Sequence, residues 1–183
     1  MFLSGCVTSY PQDVRLLSVA PSRSNDIPGF PHRSSDEPTL KLTFQSPFDL
    51  AAYTRDSYGT GVSAKFCDEA FQFRDYPGSP APSLAWGRLY AENGQTVEPA
   101  TDGPDLPEGI DRTLYHAFLF VSRQPPPQPP SHWSHPDHSW DLRADPHDVC
   151  VRIGTLKVWP LLGSRSEFMR IPTAVIRAAL GQP

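Results

Sequence analysis

The sequence predicts a mostly β domain, an antiparallel β-sandwich of immunoglobulin-like type with a short C-terminal helix. Three observations carry this. Proline takes 22 of 183 positions, more than double the usual share of about 5%. Each proline fixes φ and deletes a backbone donor, which works against long helices. Apolar and polar residues alternate with period two in several short runs bounded by turn residues. Aromatic residues make up 11% of the chain, so a core can still be filled between proline-rich loops.

The elements follow in order. Residues 1–38 are expected to be a lipobox remnant and flexible tether, because Pro21, Pro28, Pro31 and Pro38 break any periodicity among Ser, Arg and Asp. Residues 39–183 are expected to be the β domain. Thr39–Gln45 alternates Leu40, Leu42 and Phe44 against Lys41 and Thr43, a half-buried strand. Gly59-Thr60-Gly61 reads as a turn. Gly61–Cys67 alternates Val62, Ala64 and Phe66 against Ser63 and Lys65. Strict parity puts Cys67 on the polar face, so either the strand ends at Phe66 or a bulge re-aims the thiol. Leu84–Ala91 reads as a strand carrying Trp86 and Tyr90, followed by a tight turn at Glu92-Asn93-Gly94-Gln95.

Thr113–Ser122 is apolar at nearly every position, which predicts a central strand covered on both faces. Asp148–Ile153 alternates Val149, Val151 and Ile153 with Cys150 and Arg152, and Leu156–Leu162 and Glu167–Ile171 read as two further strands. At the end the period changes. Pro172 stands where a first helical position would be and Gly181 where a C′ cap would be, with Val175, Ile176, Ala179 and Leu180 as an apolar stripe. Two loops stand apart: an acidic, proline-bearing one at 98–111, and a Pro/His-rich one at 124–138.

Charge is mild, with 16 basic and 20 acidic residues and a net charge of −4. This argues against nucleic acid, which selects a basic face, and against an electrostatic hold on anionic lipid. No apolar run reaches the length of about 18 residues that a membrane-spanning helix needs.

Leu3-Ser4-Gly5-Cys6 resembles the bacterial lipobox, in which a Leu and two small residues precede the Cys that receives lipid. The basic and long apolar regions of a signal peptide are missing ahead of it. A start codon assigned too far downstream would account for that. Val7 after the Cys resembles the outer-membrane sorting pattern. With Cys6 lipidated, Cys67 and Cys150 remain, an even pair that predicts a disulfide in an exported domain. Two buried free thiols are the alternative.

Few residues call for chemistry. His132, His135 and His138 recur every third residue with Asp137 among them and His147 beyond, a set that could hold zinc or copper. A proline-flanked loop is a poor scaffold for it, and a solvated linker with Trp133 and Trp140 resting on the domain is the plainer reading. Asp102, Asp105, Glu108 and Asp111 lack the EF-hand pattern and read as a solvated acidic turn. His116 reads as a hydrogen-bonded core or interface histidine. Cys150 reads as structural before nucleophilic. GxSxG, P-loop, HExxH and Rossmann patterns are all missing. No catalytic residue and no cofactor are therefore expected.

Asp141-Leu142, Asp145-Pro146, Asp148 to Ile153 and Ser166 to Pro172 resemble the closing strands of periplasmic immunity lipoproteins associated with the type VI secretion system. The resemblance extends to the lipobox, the size, the paired cysteines and a late Ile-Pro. It implies a β-sandwich that blocks a toxin by occlusion. The expected function is thus a non-enzymatic lipoprotein on the periplasmic face of the bacterial outer membrane that binds a protein partner. Trp133, Trp140, Asp102 and Asp105 are the candidate contact residues. A structural accessory lipoprotein of a secretion or envelope assembly is the alternative, and a metal-binding periplasmic protein a third.

Overall fold

The computed structural model describes residues 13–30, 36–47, 49–50, 57–67, 84–85, 87–97, 113–123, 140–157 and 163–182. The described chain is mostly β, with antiparallel sheets and a C-terminal helix. Its strands are β1 (Arg15–Arg23), β2 (Pro38–Gln45), β3 (Ser57–Phe66), β4 (Tyr90–Ala91), β5 (Leu114–Phe120), β6 (Ser122–Arg123), β7 (Trp140–Asp141), β8 (Val149–Lys157), β9 (Gly163–Arg165) and β10 (Met169–Ile171). Helix α1 spans Thr173–Ala179. The first sheet has the order β1-β2-β5-β4, and the second has β10-β8-β3 with β9 also on β8. β6 and β7 pair with each other.

The core follows from the period-two pattern. Leu40, Leu42 and Phe44 on β2 lie opposite Leu119, Ala117 and Tyr115 on β5, and all six are buried completely. On the second sheet Val62 and Ala64 face Ile153 and Val151. Side chains from both sheets belong to a single buried cluster. Removing a Leu or Phe side chain of this kind from water is worth about 1.5–3 kcal/mol.

β5 is covered on both faces, as its apolar run predicts. Tyr115, Ala117 and Leu119 enter the main cluster. Phe118 joins a second cluster with Ile27, Phe30 and Tyr90, flanked by Phe120. The Tyr90 and Phe118 rings meet edge to face at 5.6 Å, and the Tyr90 hydroxyl donates to the Pro28 carbonyl at 3.0 Å.

That second cluster bears on the expected tether. Within 7–38, residues 15–23 form β1, paired along β2, and Ile27 and Phe30 cover the outer face of the first sheet. The strand escapes a period-two reading because it contains a bulge. Leu16 lies opposite Phe44 and Val19 opposite Leu42, so two core-facing residues stand three apart. The extra residue, Leu17, is turned outward and is 51% exposed. Pro21 fits because β1 is an edge strand, where a missing donor can face solvent.

Other boundaries move as well. Gly59-Thr60-Gly61 is not a turn but part of β3. The two strands expected at 148–153 and 156–162 begin as one continuous β8; residues 158–162 lie outside the described residues, as does Trp86. Leu84–Ala91 is not a single strand. Leu84 N–H donates to the Ala64 carbonyl of β3 at 2.8 Å, and the Leu84 carbonyl accepts from Phe120 N–H of β5 at 2.9 Å. Val62 N–H of β3 donates to the Gly87 carbonyl at 3.1 Å. The segment is a strap between the sheets. The turn after it forms as predicted, with Gly94 at φ +82° and Gln95 N–H on Asn93 Oδ1.

α1 begins one residue later than predicted, with Pro172 as N-cap. Its C-terminus is a Schellman motif: Gly181 N–H donates to the Ala178 carbonyl and Gln182 N–H to the Arg177 carbonyl, with Gly181 at φ +68°. Ile176 is buried completely, whereas Val175, expected in the apolar stripe, is 41% exposed. The helix lies against β1.

Gly61 is where the strap passes closest, since a Cβ there would come 2.9 Å from the Gly87 carbonyl oxygen. That neighbour is backbone and cannot swing aside. Gly61→Ala is therefore expected to destabilise the domain by about 1–3 kcal/mol. Urea unfolding would show it as a lower midpoint at unchanged slope.

Candidate functional site

The second sheet carries the densest chemistry among the described residues. Its starting point is the Cys67–Cys150 disulfide, with a Cα–Cα distance of 4.8 Å and a sequence separation of 83. The parity problem at Cys67 is resolved by the strand ending at Phe66. Cys67 remains tied to the residue just ahead of β8 by its N–H, which donates to the Asp148 carbonyl at 3.0 Å. Cys150 sits between Lys65 of β3 and Arg170 of β10 in one row across three strands. It is only 5% exposed.

Asp148 ties this sheet to the helix. Its Oδ1 accepts from Thr173 N–H at 2.7 Å and from Thr173 Oγ1 at 2.8 Å. Its Oδ2 accepts from Arg170 Nε at 2.7 Å, and Nη2 of the same guanidinium also engages it. Pro172 has no side-chain donor or acceptor with which to cap the helix, so the carboxylate arrives from 25 residues upstream in the chain. These bonds, led by that from the Thr173 backbone, hold the Asp148 carboxyl at a pKa of about 2, down from 3.8.

The outer face of the sheet continues from there. Val149, Val151 and Ile153 point into the core, which leaves Cys150 and Arg152 on the other side. Arg152 lies opposite Ser63, and its guanidinium carbon stands 4.7 Å from the centroid of the Phe168 ring. Phe168 is 38% exposed. This side of the sheet thus carries Ser63, Lys65, Arg152 and Arg170 around the buried, disulfide-bonded Cys150.

The other predicted residues divide into two groups. Cys6, Asp102, Asp105, His132, Trp133, His135 and His138 lie outside the described residues, as do the 98–111 and 124–138 loops they belong to. Trp140, a candidate contact residue, packs partly buried against the main core. His147 places Nε2 3.0 Å from Asp145 Oδ2 and its ring 4.9 Å from that of Phe66. His116 is a half-buried, hydrogen-bonded histidine on the outer face of the first sheet. Its Nδ1 lies 3.2 Å from Thr43 Oγ1, and burial, with Lys41 nearby, pushes its pKa down.

Sequence reading missed both the Asp148–Arg170–Thr173 node and the Arg152–Phe168 stack. Each joins residues 16 to 25 positions apart across strands. The one local hint is the proline-led helix without a capping side chain of its own. Comparison of the chain with protein-family models, with curated proteins and with solved structures finds no match.

Two outcomes follow. Cys67→Ser or Cys150→Ser is expected to cost up to about 4–5 kcal/mol, from the loop-closure entropy of an 83-residue separation, measured by urea unfolding with and without reductant. Asp148→Asn should lower the melting temperature at pH 7. A carboxyl whose pKa is depressed by folding stabilises above its unfolded pKa and loses that effect as pH falls through the folded one. The gap between wild type and Asp148→Asn should therefore close between about pH 4 and pH 2, read by thermal melts across that range.

Proposed function

We propose that this chain is the exported domain of a bacterial envelope lipoprotein, an antiparallel β-sandwich that binds a protein partner in the periplasm and performs no catalysis. The observation that carries the proposal is the Cys67–Cys150 disulfide. Such bonds persist in oxidising compartments such as the periplasm and are rare in the cytosol. Pairing those two leaves Cys6 as the third cysteine, preceded by the lipobox-like Leu3-Ser4-Gly5. Lipid on Cys6 anchors the domain to the outer membrane. The sandwich architecture is supported by the single cluster that takes side chains from both sheets.

Binding is the activity that a rigid, disulfide-closed β scaffold serves best. A surface held in place before the partner arrives loses little entropy on association. Immunity against an effector delivered by the type VI secretion system is the sharpest form of this reading, and it rests on the resemblance of the closing strands. Occlusion of an effector needs an area of contact and no catalytic group.

The deciding measurement is the intact mass of protein expressed from about 20 codons upstream, enough to restore a full signal peptide, in membrane and soluble fractions. The expected result is a diacyl or triacyl adduct on Cys6 in the membrane fraction, two hydrogens lighter through the Cys67–Cys150 bridge. An unlipidated, fully reduced, cytosolic protein would overturn the proposal.

A further inference from the structure

We infer that Asn93 is a site of spontaneous covalent modification, converting to aspartate and isoaspartate, and that opening of the turn after β4 sets its rate. The reaction is internal to the chain and independent of the partner and compartment proposed above. The backbone nitrogen of Gly94 loses its proton and attacks Asn93 Cγ. The Cγ–Nδ2 bond breaks, ammonia leaves, and a cyclic succinimide remains. Water then opens the ring at either carbonyl, giving the aspartyl or the isoaspartyl chain. No oxidant, metal or second protein is consumed.

Three features single out this asparagine. The first is its neighbour. The chain holds two asparagines, Asn25 and Asn93. Asn25 precedes Asp26, whose side chain crowds the attacking nitrogen and is held by Ser22 Oγ and Arg23 N–H. Asn93 precedes Gly94, which has no side chain to hinder ring closure. The second is access, since Asn93 is exposed and water reaches it. The third is position in the fold. β4 consists of Tyr90 and Ala91 alone and is the last strand of the first sheet. Short edge segments whose backbone hydrogen bonds face solvent open at the low end of a protein's stability range.

The closed turn withholds both reacting groups. Gly94 N–H, the nucleophile before it loses its proton, donates to the Ala91 carbonyl at 2.9 Å. The Asn93 side chain is held at Gln95 from both ends of its amide: Oδ1 accepts from Gln95 N–H at 3.1 Å, and Nδ2 donates to Gln95 Oε1 at 2.9 Å. Attack therefore waits until these bonds break together. Ala91 and Val97, which flank the turn, are buried, and Val97 N–H is secured on the Leu89 carbonyl at 2.8 Å. They can stay in place while residues 92–96 lift, so the opening costs far less than unfolding the domain. The isoaspartyl product gains a methylene in its main chain. That shifts Gly94 N–H away from the Ala91 carbonyl, and the turn cannot re-form as built.

The test is incubation of the oxidised full chain in mildly alkaline buffer, with conversion followed by proteolysis and peptide mass. Chromatography separates the aspartyl and isoaspartyl peptides, Asn93→Asp supplies the aspartyl standard, and Asn93→Gln is the blank. Asn93 should convert before Asn25. In the chain fully unfolded by guanidinium chloride, the Asn93 rate should rise about tenfold or more, because the protection of the closed turn is gone. At denaturant concentrations below the unfolding midpoint it should change by no more than about twofold, because a local opening exposes little new surface. An unfolded chain that leaves Asn93 intact, or one in which Asn25 converts first, would overturn the assignment of the site. A folded chain that reacts as fast as the unfolded one would overturn the role of the turn. So would a folded rate that is nil, or that climbs with denaturant in step with global unfolding.

Discussion

The bond between Cys67 and Cys150 is the constraint on which the second sheet depends. β8 is the strand that β3, β9 and β10 all pair with, and the disulfide fastens the residue after β3 to the second residue of β8. In the unfolded chain the bond removes a large part of the conformational freedom between residues 67 and 150. In the folded chain it stands beside Asp148, whose carbonyl receives Cys67 N–H and whose carboxylate receives the start of α1. Covalent closure, strand pairing and helix capping thus meet within three residues.

The two sheets are joined differently. The strap at 84–91 gives a hydrogen bond to β3 and accepts one from β5, then enters the first sheet as β4. This is economical for a chain so rich in proline. A short segment without long regular pairing satisfies backbone groups of both neighbours, and Gly61 supplies the close approach that makes it possible. The first sheet is finished at its other edge by β1, whose bulge at Leu17 and proline at position 21 interrupt the row of unpaired groups that would otherwise recruit another strand.

The core leaves a charged outer face on the second sheet. β8 alternates between residues that fill the interior and residues that build a charged outer face, so one strand serves both purposes. Arg152 and Arg170 are each steadied by a neighbour, the Phe168 ring and the Asp148 carboxylate. The disulfide beside it is the observation on which the proposed location rests.

By itself the sequence determined the mostly β class, strands β2 and β5, the turn at 92–95, the terminal helix with its glycine cap, and the pairing of Cys67 with Cys150 over two free thiols only as an expectation from export. These are written in local periods and local cap chemistry, which a chain displays before it folds. Tertiary structure alone decided that residues 15–23 are a strand, because a bulge shifts the parity that a periodic reading relies on. It decided that Trp140 packs partly buried against the core, that Gly61 lies under a carbonyl, that Asp148 caps a helix 25 residues away, and that Arg152 stacks on Phe168. Each is a contact between residues distant in sequence, and its energy exists only once strand register brings them together.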